Sequence, residues 1–354
     1  MFRPKILLLG PGGSKGYLEL GSLLYLEQHK ILEHCDTFIG VSIGAVISLL
    51  LTCGYSSTEI IERSLSLDFS KELVALKLED IIQGIGVFSN DSIKNALIRA
   101  VTDKFGTVLN LQQLYLATGR KLICTTMNFD RHRVEYISKD NEPDLSCVDA
   151  VLLSINIPFL FRTIKHKGCM YIDGGIGNPY PIDIIDDTKT DILGLYIDTK
   201  VNSNTKDGVM VYLQGLVTSF MSKIRENHIQ RSSPKCHHIG LSTEAQMPGA
   251  GAIGLGVNKE AKFKMISDGF QTTKNYFENL SKDRYLVPPD VETEISKFVD
   301  TLDPRALSTL IRLANDRISR NRRETITEND GELHILNMLP SEESQLFRNG
   351  KITE

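Results

Sequence analysis

The 354-residue chain contains no tryptophan, and it has no apolar run long enough to cross a bilayer. The longest run, Ile43 to Leu51, is about half the ~20 residues a span needs. Excess charge of one sign is also missing. Forty basic and 44 acidic side chains leave a formal −4. No strong field therefore draws the chain to nucleic acid or repels it from an acidic membrane. Cysteine is sparse, at positions 35, 53, 124, 147, 169 and 236, irregularly spaced and without a Cys-x-x-Cys pair. A disulfide framework and a zinc site both lack support. The acid-rich stretch Asp140 to Asp144 lacks the glycine and terminal glutamate of a calcium loop. Met1 to Leu9 has only four consecutive apolar residues, too few for a secretory signal. The expectation is a cytoplasmic chain that touches membranes only peripherally. No metal, cofactor or nucleic-acid partner is expected, and the oligomeric state is left open.

What is present is enough apolar content, 41%, to build a large core. Short apolar runs alternate with helical patterns. Lys5–Leu9, Asp36–Gly40, Lys121–Thr126, His132–Ile137, Met170–Ile172, Ile192–Ile197 and Cys236–Leu241 read as strands. Helices are expected over Leu18–Leu26, Ile43–Leu51, Ser92–Lys104, Val148–Ser154, Val209–Gln230 and Asn258–Leu280. Ser56 and Glu59 form a capping-box pattern, and Asn90 is a plausible cap. This alternation implies an α/β fold with a largely parallel sheet covered on both faces. After about residue 282 the chain becomes charged and polar, with a joint at Pro288-Pro289. The expected organisation is a large α/β domain over 1–280 and a helical extension over 281–354.

Three segments carry chemistry. Gly40-Val41-Ser42-Ile43-Gly44 is a G-x-S-x-G between a strand and a helix. Small neighbours let the chain turn tightly and present the serine hydroxyl at a helix N-terminus, which favours developing negative charge. The competing reading is a helix start with Ser42 as an ordinary cap. Gly10-Pro11-Gly12-Gly13-Ser14-Lys15-Gly16 follows the first strand and can aim backbone N–H groups at an oxyanion or phosphate. It is one residue too long for a dinucleotide fingerprint and has no G-K-[S/T]. A plain tight turn remains the alternative. Asp173-Gly174-Gly175 places a carboxylate at a strand end, although Asp-Gly alone reads as a turn.

Together, in this order, the segments resemble the patatin-like phospholipase family. Ser154-Ile155-Asn156-Ile157-Pro158-Phe159-Leu160-Phe161 and Asp173-Gly174-Gly175-Ile176-Gly177-Asn178-Pro179 extend the similarity, which covers roughly residues 3 to 280. The resemblance implies a three-layer α/β/α domain with a mostly parallel central sheet. It implies a lipid acyl hydrolase of the phospholipase A type, working through a Ser–Asp dyad. Ser42 would be the nucleophile and Asp173 the base. Gly12, Gly13 and Ser14 would form the oxyanion hole. Gly10, Lys15, Gly16, Gly40, Gly44, Gly174 and Gly175 would support the motifs. One departure is Pro11, which stands where the family usually has the first of three glycines and brings no N–H. None of the eight histidines sits in a triad-like setting.

Other functions fit the same residues. An acyltransferase or thioesterase would use the same acyl-enzyme, and a lipid-binding regulator could keep the fold without turnover. The apolar spacing Val209, Leu213, Leu216, Phe220 and Ile224 is read first as core packing, and second as an acyl groove or bilayer contact.

Overall fold

The computed structural model describes residues 2–66, 90–158, 160–198, 209–244 and 257–283, together with position 312. The chain divides into two compact units, Met1–Tyr276 and Phe277–Glu354. The description below concerns the first. The expected joint at Pro288-Pro289 and the charged helices around it lie outside the described residues.

The strands are β1 (Ile6–Leu9), β2 (Thr37–Val41), β3 (Lys121–Asn128), β4 (Arg133–Ser138), β5 (Ile164–His166), β6 (Cys169–Asp173), β7 (Ile192–Ile197) and β8 (Cys236–Leu241). The helices are α1 (Gly16–Gln28), α2 (Ile43–Thr52), α3 (Ser57–Ser66), α4 (Asp91–Phe105), α5 (Leu111–Thr118), α6 (Cys147–Ser154), α7 (Val209–Arg231) and α8 (Lys259–Asp283). The capping box before α3 forms: the Ser56 amide donates to Glu59 and the Glu59 amide to Ser56 Oγ. Asn90 caps α4 by position but makes no side-chain cap bond. Helix α5 and strand β5 have no counterpart in the sequence reading.

All eight strands join one sheet in the order β5-β6-β3-β2-β1-β7-β8, with β4 also on β3. The centre, β3-β2-β1-β7-β8, is parallel throughout. The antiparallel pairs β3-β4, β3-β6 and β5-β6 are gathered at one end. From β1 the chain steps outward to β2 and β3, then returns to the other side of β1 for β7 and β8. Right-handed crossovers therefore put the intervening helices on opposite faces. The alternation of side chains agrees. Leu8, Ile39 and Ile123 share one face with Tyr180, Ile182 and Ile229 of α7. Gly40 points to the other face, where a Cβ would collide with the backbone of Ala45 in α2. The result is α/β/α, with a reversal of strand order beside β1. Ligand crevices form at such a point, outside the strands' carboxyl ends.

Candidate active site

Strand β3 brings two distant segments to one point. Residues Ile123–Asn128 pair with β4 along one edge. The opposite edge is shared: β2 holds it as far as Thr125, and β6 from Thr126 onward. The two strands run in opposite directions and meet end to end. Val41 faces Thr125 and Asp173 faces Thr126. The residue after Val41 is Ser42, so Ser42 and Asp173 arrive at the same step from opposite sides.

Ser42 has φ +56° and ψ −125°, a strained backbone for a residue with a side chain. Close approach makes the turn possible. Gly40 lies against Ala45, and a Cβ on Gly44 would collide with the Leu9 carbonyl. The Ser42 amide donates to Ser154 Oγ (3.1 Å), which donates to the Thr125 carbonyl (2.6 Å). The Ser42 side chain makes no cap hydrogen bond to α2. The hydroxyl is thus not used as a helix cap, which removes the main structural alternative for this serine.

Asp173 ends β6 and is buried. Its Oδ1 accepts the Gly175 amide (2.8 Å), while buried Oδ2 has no partner of hydrogen-bond geometry. Burial pushes the carboxyl up to about 6, against the opposing pull of the Ser42 hydroxyl and the Gly175 amide. The Ser42 hydroxyl thus lies close to the carboxyl, although no hydrogen bond of good geometry to Oδ2 is formed. Catalytic hydrogen bonds are often long or misaligned before substrate binds. A Cβ on Gly174 would strike the Thr125 carbonyl, so this turn needs a glycine to lie against β3.

The glycine loop closes the third side. The Gly10 amide donates to Leu195 and extends the pairing of β1 with β7 (3.0 Å). Gly13–Lys15 form one 3₁₀ turn, with the Lys15 amide on the Gly12 carbonyl (3.0 Å). Among the described residues, nothing accepts a hydrogen bond from the Gly12 or Gly13 amide. The left-handed residue is Gly13 (φ +55°), not Gly12, whose φ of −172° is ordinary extended backbone. Gly12 is needed for space instead, since a Cβ there would meet the end of the Ile197 side chain. Burial lowers the Lys15 pKa and nearby Asp198 opposes the shift. Asp198 in turn faces Arg225 of α7 (3.3 Å). Glu19 of α1 is wholly buried, and burial holds its carboxyl well above the usual range despite the Gly10 amide.

Residues 7–186 match the family model for patatin-like phospholipase. The chain belongs to the patatin-like phospholipase family. Probable lipid hydrolase 463L of Invertebrate iridescent virus 6 is 31% identical over 188 residues, 51% of this chain and 62% of that protein. The uncharacterized protein R571 of Acanthamoeba polyphaga mimivirus is 27% identical over 206 residues, 57% of this chain and 67% of that one. Among solved structures, VipD from Legionella pneumophila has the same fold, with a TM-score of 0.50 at 14% identity. That match covers 78% of this chain and 67% of VipD.

Several supports of this patatin-like site have no signature in the sequence. Ser154 anchors the Ser42 backbone from the end of α6. Asn156 accepts the Asp173 amide on its carbonyl (2.9 Å) and donates its side chain to Tyr171 (2.8 Å). Both lie in the segment quoted for the family likeness, but no spacing rule gives their roles. Helix α7 closes the remaining side. Met221 Cε and Pro11 Cβ stand 3.1 and 3.2 Å from where a Cβ of Gly175 would be. Three of the described histidines, His29, His228 and His238, are engaged elsewhere. His228 donates to the Tyr180 carbonyl, His238 bonds Tyr180 Oη and Ser232, and His29 donates to the Tyr25 carbonyl.

Proposed function

We propose that this patatin-like chain is a lipid acyl hydrolase of the phospholipase A type, cleaving fatty-acyl esters of phospholipids with a Ser42–Asp173 dyad. One observation carries the reading: β2 and β6 meet end to end on β3 and deliver a strained serine and a buried, half-satisfied carboxylate to one register step. Ser42 Oγ attacks the ester carbonyl and its proton passes to Asp173. The carbonyl oxygen becomes an oxyanion facing the Gly12 and Gly13 amides. The intermediate collapses, the C–O bond to the leaving alcohol breaks, and the alcohol takes the proton. Water then attacks the acyl-enzyme, gives its proton to Asp173, and releases the fatty acid and Ser42. Pro11 brings no N–H, so the hole rests on the amides that follow it, and loss of a single such donor typically costs ~10²–10³ in turnover.

Ser42→Ala is expected to abolish hydrolysis of a short-chain ester and covalent labelling by an organophosphorus ester, with the melting temperature nearly unchanged. Retained turnover in that variant would overturn the nucleophile. Mass spectrometry after incubation with mixed phospholipids separates the reaction types. Free fatty acid plus lysolipid indicates hydrolysis, whereas a new ester indicates transfer.

A further inference from the structure

The sequence reading put the apolar stripe of α7 in the core first, and at Leu216 and Phe220 the structure corrects it. Leu216 is 42% exposed, Val217 39%, Phe220 63% and Tyr212 71%. Tyr212, Leu216 and Phe220 recur every four residues, so they line one face of the helix. The rest of α7 explains why that face stays open. Its C-terminal half is fastened to the domain by Arg225 on the Ile197 carbonyl (3.2 Å), His228 on the Tyr180 carbonyl (2.9 Å) and Ile229 in the core. Met221 turns inward over Gly175. The opposite face of the N-terminal half is left carrying large apolar side chains outward.

We infer that this face of α7 is the surface on which the protein seats on a phospholipid bilayer. Resting on the acyl-hydrolase reading for its choice of partner, the inference adds where the contact is made. Three observations favour a bilayer. From Val209 to Ser222 the helix has no charged residue, so burying the stripe among acyl chains removes no charge from water. Lys223 then continues the same face, three residues past Phe220, with its side chain 68% exposed and its ammonium 3.5 Å from Glu226, itself exposed. An apolar face ending in a long cation suits the boundary between acyl chains and headgroups, where the ammonium can stay in water. The stripe is also continuous with the mouth of the site. Met221 is its inward neighbour, and Ile176 of the Asp173 turn is itself 36% exposed. A second protein copy fits less well, because stable interfaces use ~20 residues a side.

The test is flotation with vesicles of ether-linked phosphatidylcholine, which cannot be hydrolysed, using the full chain. Leu216→Ser with Phe220→Ser is compared with Phe220→Ser alone and with Leu116→Ser, which alters a leucine on α5 that is even more exposed, at 73%. The double variant is expected to lose roughly tenfold or more in vesicle partitioning, from the several buried methylenes removed. The single variant should lose less, and Leu116→Ser nothing. All three should keep hydrolysis of a soluble short-chain ester. Unchanged flotation of the double variant would overturn the inference. A halved mass by light scattering would then assign the stripe to a second copy. A fall in melting temperature at constant mass would assign it to cover by the chain itself. Loss of ester hydrolysis in both stripe variants would make the stripe part of the fold and overturn the inference equally. If the parent hydrolyses no ester, the hydrolase reading fails while flotation still judges the surface.

Discussion

Asp173 is the residue on which the chemistry of the site turns. Its carboxyl is raised from an ordinary 3.8 to about 6 because burial removes water from it. Between those values the folded chain holds a proton that the unfolded chain has released. Stability therefore falls as pH rises through this window, by up to ~3 kcal/mol once the carboxylate is fully ionised. Asp173→Asn, which abolishes the base, should thus stabilise the fold at pH 8 by ~1–3 kcal/mol, and the gain should be gone by about pH 4. Urea unfolding at the two pH values checks this; equal stability at both would mean the carboxylate is solvated. The same proton sets the acid limb of the rate. For the short-chain ester, kcat/KM should fall tenfold per pH unit below about 6. Ser42 and Asp173 stood out as candidates in the sequence because glycines that local geometry demands flank Ser42 on both sides and follow Asp173. Ser154 did not, since a serine closing a short helix carries no sign that its Oγ holds a backbone 112 residues away.

Among elements, close approach of backbone governs what can change. Gly44 packs α2 against the carbonyl of Leu9 in β1, and neither backbone can yield. Gly12 meets only the flexible tip of Ile197. Gly44→Ala should therefore destabilise by ~3 kcal/mol or more, with activity lost through unfolding. Gly12→Ala should leave the melting temperature within a few degrees and lower turnover by crowding the loop amides. Melting curves set beside kcat for the two variants check the contrast; a reversal would mean that the loop, not the helix, supports the fold. The central parallel strands could be read from their apolar runs nearly to the residue. Helix α5 escaped because it is only eight residues long, about two turns, although Asn110 and Gln113 close a capping box around its first turn. Strand β5 escaped because Ile164–His166 is half polar and gains its identity only by pairing with β6. For α7, helical periodicity gave the helix but not the surroundings of its stripe. The same spacing serves a buried face or an open one.

For the molecule as a whole, the near balance of charge matters more than any patch. With a formal −4 there is no net attraction to an anionic bilayer. Seating through α7 should depend on apolar contact, so adding phosphatidylserine or raising salt from about 0.1 to 0.5 M should change vesicle partitioning less than roughly threefold, since only Lys223 and its neighbours feel the surface. A steep salt dependence by flotation would point instead to a basic surface elsewhere. Sheet order was the part of the architecture that sequence could not supply. Alternating strands and helices imply a parallel sheet, but nothing local tells that β7 inserts beside β1 or that β6 turns back along β3.

That last pairing has a consequence for when the protein becomes active. The proposed nucleophile and base follow or end strands that each dock on β3, one from about 80 residues before it and one from about 45 after. Neither docking alone makes a site, and both close long loops, which are slow steps in folding. Activity is therefore a coincidence signal: it registers only molecules in which both ends of the β3 edge have been filled in the right register. In refolding from urea, recovery of ester hydrolysis should lag behind recovery of helical circular dichroism, and a chain caught with β6 undocked would look folded and do nothing.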